Sequence, residues 1–336
     1  MHGTIVRTGN IMHGHYRALL GRVVVTAVAG GGGAWARAHA PCAGSAARGA
    51  LAAWARCLSL KGGAGAGVPH RPIKCVIFDK DGTLISFHHT WSPWADGLIG
   101  RVVDSCAVHV QDQVRDKHFD AAQVQQLIAK SRGNAREQVA ATLGYNLESR
   151  RVFSEKSLLA WAAQPLIREA LEICLAKRLG LSPPVAAAIA KECWHECDGK
   201  EEVVALSTNT PALFARLRER GIKIAVCTSD ARAPTESNLA TLGLSSLVDK
   251  VVCGDDATNV PKPAPDNILN ICKHFQLSPE ETVMVGDTNA DLKMALAAHA
   301  GLSVAVLSGV GSLEDLSPNA HVVLQSIDEL ESVLGE

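Results

Sequence analysis

The stretch Phe78-Asp79-Lys80-Asp81-Gly82-Thr83-Leu84 sets two carboxylates two positions apart, directly after the apolar run Lys74–Phe78. If that run is a buried strand, both carboxylates face its carboxyl end. Gly82 permits the tight turn that follows, and Thr83 can tie the loop with its hydroxyl. One aspartate of such a pair can attack phosphorus as a nucleophile. The other can protonate the leaving oxygen and then take a proton from the water that hydrolyses the acyl-phosphate. Attack by an anion on an anionic phosphate needs charge neutralisation, hence a metal ion. Taken alone, the same residues read equally well as a turn; companions elsewhere in the chain must decide.

The elements that would position such a pair alternate in type. Lys74–Phe78, Ile222–Thr228, Lys250–Gly254, Thr282–Gly286 and Leu302–Leu307 are short runs rich in Val, Ile and Cys, each followed by turn residues, and His321–Leu324 is a candidate sixth. Helices fit between them. Pro211–Arg220 carries Leu213, Phe214 and Leu217 at helical spacing, with Thr210 as N-cap and Gly221 as stop, and Pro265–Phe275 and Ala290–His299 fill two further gaps. Continuous apolar strands separated by short helices predict a doubly wound α/β fold, a parallel sheet covered on both faces. Ligand sites in such sheets lie beyond the carboxyl ends of the strands. Asp79, Thr228, Gly254-Asp255-Asp256 and Asp287 all stand at such ends.

Residues 71–89 and 205–336 therefore read as one α/β core, and residues 90–204 as an insert. The insert shows helical spacing over Trp91–Gln111, Asp120–Arg132 and Ile167–Leu179, and a helix from Pro183-Pro184 through about Cys197, with no strand-like alternation. A helical insert after the first strand is expected to act as a lid that excludes water.

With these residues in view, Asp79-Lys80-Asp81-Gly82-Thr83, the strand-ending Thr228, Lys262 in VPKPAPD and Gly286–Asp291 (GDTNAD) resemble, in order, the four motifs of the haloacid dehalogenase superfamily. The resemblance covers residues 74–88 and 222–308 closely, and the insert only by position and helical character. It implies a Rossmann-like core with an α-helical cap, and a magnesium-dependent phosphatase acting on a small phosphorylated metabolite. It implies Asp79 as nucleophile and metal ligand, and Asp81 as acid/base with its backbone carbonyl on the metal. Thr228, with the Ser229 N–H, would hold phosphoryl oxygens, and Lys262 would neutralise nucleophile and phosphate. Asp287 would bind metal directly, and Asp291 would orient Lys262 or a metal-bound water. Hard oxygen ligands suit Mg²⁺, and lysine is a compact point charge for phosphate.

Lys80 departs from the commoner apolar residue between the two aspartates. It resembles the DKTGT of P-type cation pumps, which have Thr where this chain has Asp81. Dehalogenase members also lack the second aspartate, so Asp81 argues for phosphate turnover. Phosphonate-cleaving members use a cap lysine, and none occurs between Ile85 and Lys117. Sugar phosphomutases share both aspartates and carry a cap histidine where this chain has Trp91, with His88 and His89 nearby; a mutase, or a non-catalytic binding protein of this fold, stays as an alternative. Within the superfamily the C-terminal part is most similar to phosphoglycolate phosphatases, which leaves the substrate, phosphoglycolate-like or sugar phosphate, to the cap. There, His88 and Trp91 in HHTWSPW are candidate substrate contacts.

The chain has 336 residues, 47% hydrophobic and 20% charged, with a formal net charge of −1. That balance suits a packed globular chain and argues against a nucleic-acid binder. Residues 1–70 hold seven basic residues and no acid, leaving 26 basic and 34 acidic residues downstream. This Arg-bearing, acid-free, Ala- and Gly-rich stretch has no periodic structure and reads as a disordered leader, an organelle transit peptide for mitochondrion or plastid, with the cytoplasm as the alternative location. Its longest apolar run, Val23–Ala36, is broken by four glycines and is too short for a membrane helix. The ten cysteines are not spaced as a disulfide scaffold; Cys75, Cys227 and Cys253 sit in apolar runs as buried thiols. Cys193-x-His195-x-Cys197 lacks the second pair that a zinc site needs and reads as a helix end. Ser308-Gly309 reads as a turn.

Overall fold

The computed structural model describes residues 22–27, 36–41, 71–115, 119–194 and 203–334. Against the expectation of a leader without periodic structure, strands β1 (Arg22–Ala27) and β2 (Ala36–Pro41) pair antiparallel within it. The rest of the expected leader lies outside the described residues, as do His195 and Cys197.

The core strands are β3 (Cys75–Phe78), β6 (Lys223–Cys227), β7 (Lys250–Val252), β8 (Thr282–Gly286), β9 (Leu302–Val306) and β10 (Val322–Leu324), with the two-residue strands β4 (Tyr145–Asn146) and β5 (Arg151–Val152) in the insert. The six core strands form one sheet in the order β10-β9-β8-β3-β6-β7, parallel throughout. Period-two alternation splits their side chains between two apolar layers. Val76, Phe78, Ile224, Val226, Val283 and Val285 pack on one face against Leu213, Phe214 and Leu217. Cys75, Ile77, Ala225, Cys227 and Met284 pack on the other against Ile268, Ile271, Met294 and Ala295. Both faces are therefore dry, which is why these strands read as unbroken apolar runs. The chain leaves β3 for β6 and β7 on one side and returns to β8 on the other, so the strand order reverses beside β3. That switch point is where a crevice opens in sheets of this kind.

The insert holds α1 (Phe87–Val114), α2 (Ala121–Leu143), α3 (Leu158–Trp161), α4 (Gln164–Lys177) and α5 (Pro183–Cys193). It buries its own apolar cluster, from Phe87 through Cys193, separate from the layers of the sheet. The chain crosses between insert and core at one place. There Ser86 N–H donates to Val204 C=O at 2.8 Å and Leu206 N–H to Leu84 C=O at 3.0 Å, so outgoing and returning segments pair side by side. The core helices are α6 (Thr210–Glu219), α7 (Arg232–Thr241), α8 (Asp266–Phe275), α9 (Asn289–Ala297) and α10 (Leu313–Leu316).

Two local expectations are corrected. The insert is not wholly helical, because Gly144, in a left-handed conformation, stops α2 and starts the short β4–β5 hairpin. Thr210 does not cap α6; it is the first helical residue, and its hydroxyl donates to Ser207 C=O at 2.9 Å.

The seven described cysteines are all buried free thiols. Of the C-x-H-x-C run only Cys193 is described, sharing a hydrogen bond with Ser105 at 3.3 Å. Among the described residues no helix is long and apolar enough to cross a membrane.

Candidate active site

The loop after β3 is tied down by its own backbone. Lys80 C=O accepts from the N–H groups of Thr83, Leu84 and Ile85, and Gly82 N–H donates to Ile85 C=O at 2.7 Å. Gly82 has φ 92°, and a Cβ there would collide with the Asp287 carboxylate. Only glycine lets this loop approach the loop after β8 so closely. Thr83 ties to that neighbouring loop, its hydroxyl 3.5 Å from Asp287 Oδ1. On the far side the loop after β9 closes over the same carboxylate. Val310 N–H donates to Asp287 Oδ2 at 2.8 Å, Ser308 Oγ donates to Gly82 C=O at 3.1 Å, and Gly309 leaves no room for a side chain against Asp287. Ser308-Gly309 is thus a turn with a task, fixing Asp287.

Asp79, Asp287 and Asp291 converge, each buried, with one oxygen apiece within 4.8 Å of the others. Lys262 reaches into them, its Nζ 2.6 Å from Asp79 Oδ1 and 2.7 Å from Asp291 Oδ1. The second Asp291 oxygen accepts from the Thr288 hydroxyl and N–H, in a capping box that opens α9. Three carboxylates thus face one ammonium. Burial pushes the Asp79 carboxyl up to about 7; Lys262 opposes the rise, while Asp291 and Asp81 add to it. Burial, then the charges of Asp79 and Asp291, holds Asp287 well above the ordinary carboxylate range, against the Val310 N–H. Burial pulls the Lys262 ammonium down, but Asp291 and Asp79 outweigh it, and the net direction is up. An excess of buried acid with hard oxygen donors is what a divalent cation neutralises, and such an ion reverses the direction in which the carboxyls are pushed. The donor set therefore fits a divalent metal.

A pocket opens over this cluster. Its floor is Asp79, Asp81, Thr228, Ser229, Lys262 and Asp291; its roof is cap residues, among them Phe87, Trp91, Leu159 and Trp161. Thr228 follows β6 and is buried; its hydroxyl accepts from Asp230 N–H at 3.1 Å. Ser229 Oγ donates to Trp161 C=O at 3.0 Å, joining core to cap. A second join sets Asn289, the first residue of α9, against the buried Glu155 of the cap, at 3.1 and 3.2 Å.

Of the two cap candidates, Trp91 lines the pocket and His88 does not. Both lie on α1, where Phe87 and Trp91 are one turn apart and stack at 6.3 Å, while His88 is rotated about 100° from Phe87. The His88 Nδ1 is buried without a hydrogen-bond partner, and burial, with Arg151 and His89 adding, pushes its pKa down.

Asp230, Lys80, Gln164, Glu155 and the aromatic roof residues Phe87 and Trp161 were not among the expected site residues. Asp230 had a faint signal, an acid two positions past a strand-ending threonine. Lys80 is 1% exposed, and a lysine inside an apolar-flanked loop demands a buried acid somewhere. Nothing local names which one.

The family model for haloacid dehalogenase-like hydrolases matches residues 73–299. A phosphoglycolate phosphatase of Nitrosococcus oceani is 30% identical over 126 residues, 37% of this chain and 54% of that protein. A plasmid-encoded phosphoglycolate phosphatase of Cupriavidus necator is 27% identical over 171 residues, 50% of this chain and 71% of that protein. The pyrophosphatase PpaX of Halalkalibacterium halodurans is 31% identical over 123 residues, 35% of this chain and 55% of that protein. The match thus spans about half the length of two of these three relatives. Among solved structures, a HAD hydrolase of Entamoeba histolytica superposes with TM-score 0.47 at 18% identity, covering 78% of this chain and 98% of that one.

Proposed function

The chain belongs to the haloacid dehalogenase-like hydrolases, and from that premise we propose that it hydrolyses a small phosphate monoester through an aspartyl-phosphate on Asp79. The observation that carries the reading is the convergence of Asp79, Asp287 and Asp291 on Lys262 beneath a capped pocket.

The steps follow from these groups. An Asp79 carboxylate oxygen attacks phosphorus as the bond to the ester oxygen breaks, and protonated Asp81 gives that oxygen its proton. The product alcohol leaves. Asp81, now a carboxylate, takes a proton from water whose oxygen attacks phosphorus; the Asp79–phosphorus bond breaks and phosphate is released. Thr228 Oγ and the Ser229 N–H orient the phosphoryl oxygens, and Lys262 offsets their charge. Asp79, Asp287 and the Asp81 carbonyl would hold Mg²⁺, which when bound would screen the phosphate from the attacking carboxylate, while Asp291 orients Lys262. The cap excludes bulk water during the first half-reaction. Trp91 on the pocket roof, in place of a basic histidine, favours transfer to water over return to a sugar. The names of the phosphoglycolate phosphatases among the relatives favour a phosphoglycolate-like ester; a sugar phosphate is the other class the sequence leaves open.

p-Nitrophenyl phosphate turnover with Mg²⁺, wild type against Asp79→Asn, tests the chemistry; equal and negligible rates sink it. A panel of phosphoglycolate and sugar phosphates then tests the substrate. Sugar-phosphate isomerisation without phosphate release would replace hydrolysis by mutase chemistry.

A further inference from the structure

Lys80 has no part in the steps above, yet it is almost fully enclosed beside the site, at 1% exposure. Its ammonium has three protons, and three acceptors surround it. Asp230 Oδ2 lies at 2.8 Å and Asp81 Oδ2 at 3.0 Å. The third is the Asn238 side-chain oxygen at 3.2 Å, with the amide turned so that its nitrogen donates to Pro234 C=O. With its protons spent, Lys80 has none for a substrate, and it does not line the pocket.

Asp230 carries the connection onward. Its Oδ1 accepts from Gln164 Nε2 at 3.2 Å and from Ala231 N–H at 2.8 Å. Gln164 is the first residue of α4, in the cap. A continuous buried path therefore runs Asp81–Lys80–Asp230–Gln164, from the carboxylate at the pocket floor to the lid above it.

We propose that Lys80 is a positioning residue for Asp81 and that, through Asp230 and Gln164, it ties the orientation of that carboxylate to the closed cap. The assignment rests on Asp81 serving as the acid/base. Asp81 lines the pocket while both of its carboxylate oxygens lie within reach of Lys80 Nζ, at 3.0 and 3.3 Å, so its freedom to swing away from the ester oxygen is reduced. Gln164 reaches Asp230 only while α4 sits on the core. The site is then complete when the lid is down, and an open lid leaves the acid less well placed.

A buried ion pair kept for stability alone would respond differently to mutation, and leaving-group dependence separates the two. An ester of a weakly acidic alcohol needs its oxygen protonated as it leaves, and p-nitrophenolate does not. The ratio kcat/KM reports the steps through the first release and excludes hydrolysis of the phosphoenzyme. Wild type, Lys80→Met and Gln164→Leu are assayed with p-nitrophenyl phosphate and with an alkyl phosphate, and folding is followed by thermal melting. Lys80→Met should lose ~100-fold in kcat/KM on the alkyl ester and less than ~5-fold on the aryl ester, within the range a positioned acid supplies. Gln164→Leu removes a single hydrogen bond, keeps the charges paired, and should lose ~5-fold on the alkyl ester alone. Equal losses on both esters in Gln164→Leu, or no loss, overturn the assignment even if Lys80→Met fails to fold. Wild-type turnover that vanishes in Asp79→Asn is established first; its absence overturns the proposed function and this assignment together, whereas turnover with equal losses overturns the assignment alone.

Discussion

Two buried lysines each hold one of the two aspartates in the loop after β3, Lys80 from within that loop and Lys262 from the segment before α8. Lys262 pairs with Asp79 and Asp291; Lys80 pairs with Asp81 and Asp230. In electrostatic terms they are alike. Taking an ammonium out of water costs several kcal/mol, while a carboxylate 4 Å away returns about 4 kcal/mol in partly screened surroundings. One partner roughly balances the penalty and two exceed it, so for both lysines the carboxylates outweigh burial and the pKa is pushed up. They differ in what lies beyond. The Lys262 cluster contains a third acid, Asp287, and opens on the pocket; the Lys80 cluster is closed by Asn238 and leads to the cap. Under the proposed function the same pairing serves a reacting centre in one place and an orienting strut in the other.

The sharpest break of that comparison is at the aspartates themselves. Asp79→Asn keeps size and one acceptor oxygen but removes the proposed nucleophile, and should lower kcat by at least ~10⁴-fold, the scale seen when a nucleophile is deleted. Next, Lys262→Met should lose ~10³-fold in kcat/KM by the same factor on aryl and alkyl esters, because its charge acts on nucleophile and phosphoryl group rather than on the leaving oxygen. Steady-state rates on the two esters check this. A leaving-group-dependent loss in Lys262→Met would erase the distinction between the lysines. Removing Lys262 strands the buried Asp79 and Asp291, and removing Lys80 strands the buried Asp230 beside the part-exposed Asp81; breaking a buried pair costs about 3–5 kcal/mol, so both variants should melt lower, Lys80→Met by no more than Lys262→Met.

This contrast also explains what could be read from the chain. The sheet was legible because strands buried on both faces are unbroken apolar runs, and Asp79, Thr228 and Asp287 stand at their carboxyl ends. Lys262 is preceded by no apolar run and was legible only through its resemblance to a family motif. Lys80 was visible as an oddity between two aspartates, but its partner Asp230 is 150 residues away, and only the pairing of β3 with β6 brings the two together. The cap hid most. Trp91 and His88 looked equally placed until the start of α1 at Phe87 fixed which face meets the pocket, and the β4–β5 hairpin follows from Gly144, a stop signal inside a segment otherwise helical in pattern.

A third test separates the clusters by metal. With three acids against one ammonium, the Lys262 cluster should gain stability from Mg²⁺, and the Lys80 cluster should not. Ligand at 100 times its Kd stabilises by about 2.7 kcal/mol, which for a fold of this size is a rise of roughly 5–10 °C in melting temperature. Chelator-treated protein should therefore melt lower and turn over no ester, and Mg²⁺ should restore both. Asp287→Asn should lose the thermal rise and Lys80→Met should keep it. A rise unchanged in Asp287→Asn would move the metal away from this cluster.

The smallest effect belongs to a pair that lacks burial. Arg232 clasps Asp256 with its Nη2 at 2.7 Å from both carboxylate oxygens, but the two side chains are 39% and 20% exposed. Burial pushes the Asp256 pKa up, the Arg232 hydrogen bonds and the Cys253 N–H outweigh it, and the net direction is down. A carboxylate depressed in the folded state adds stability that is complete above its unfolded value of 3.8 and is lost as pH falls below that through the folded value. Solvent screening keeps the contribution to about 1 kcal/mol or less. Asp256→Asn should therefore lower the melting temperature by only about 2–4 °C at pH 7, and the gap to wild type should narrow below pH 3.8. A gap as wide as that of the lysine variants, or one unchanged in acid, would mean that burial is not what separates the two lysine clusters from an ordinary surface pair.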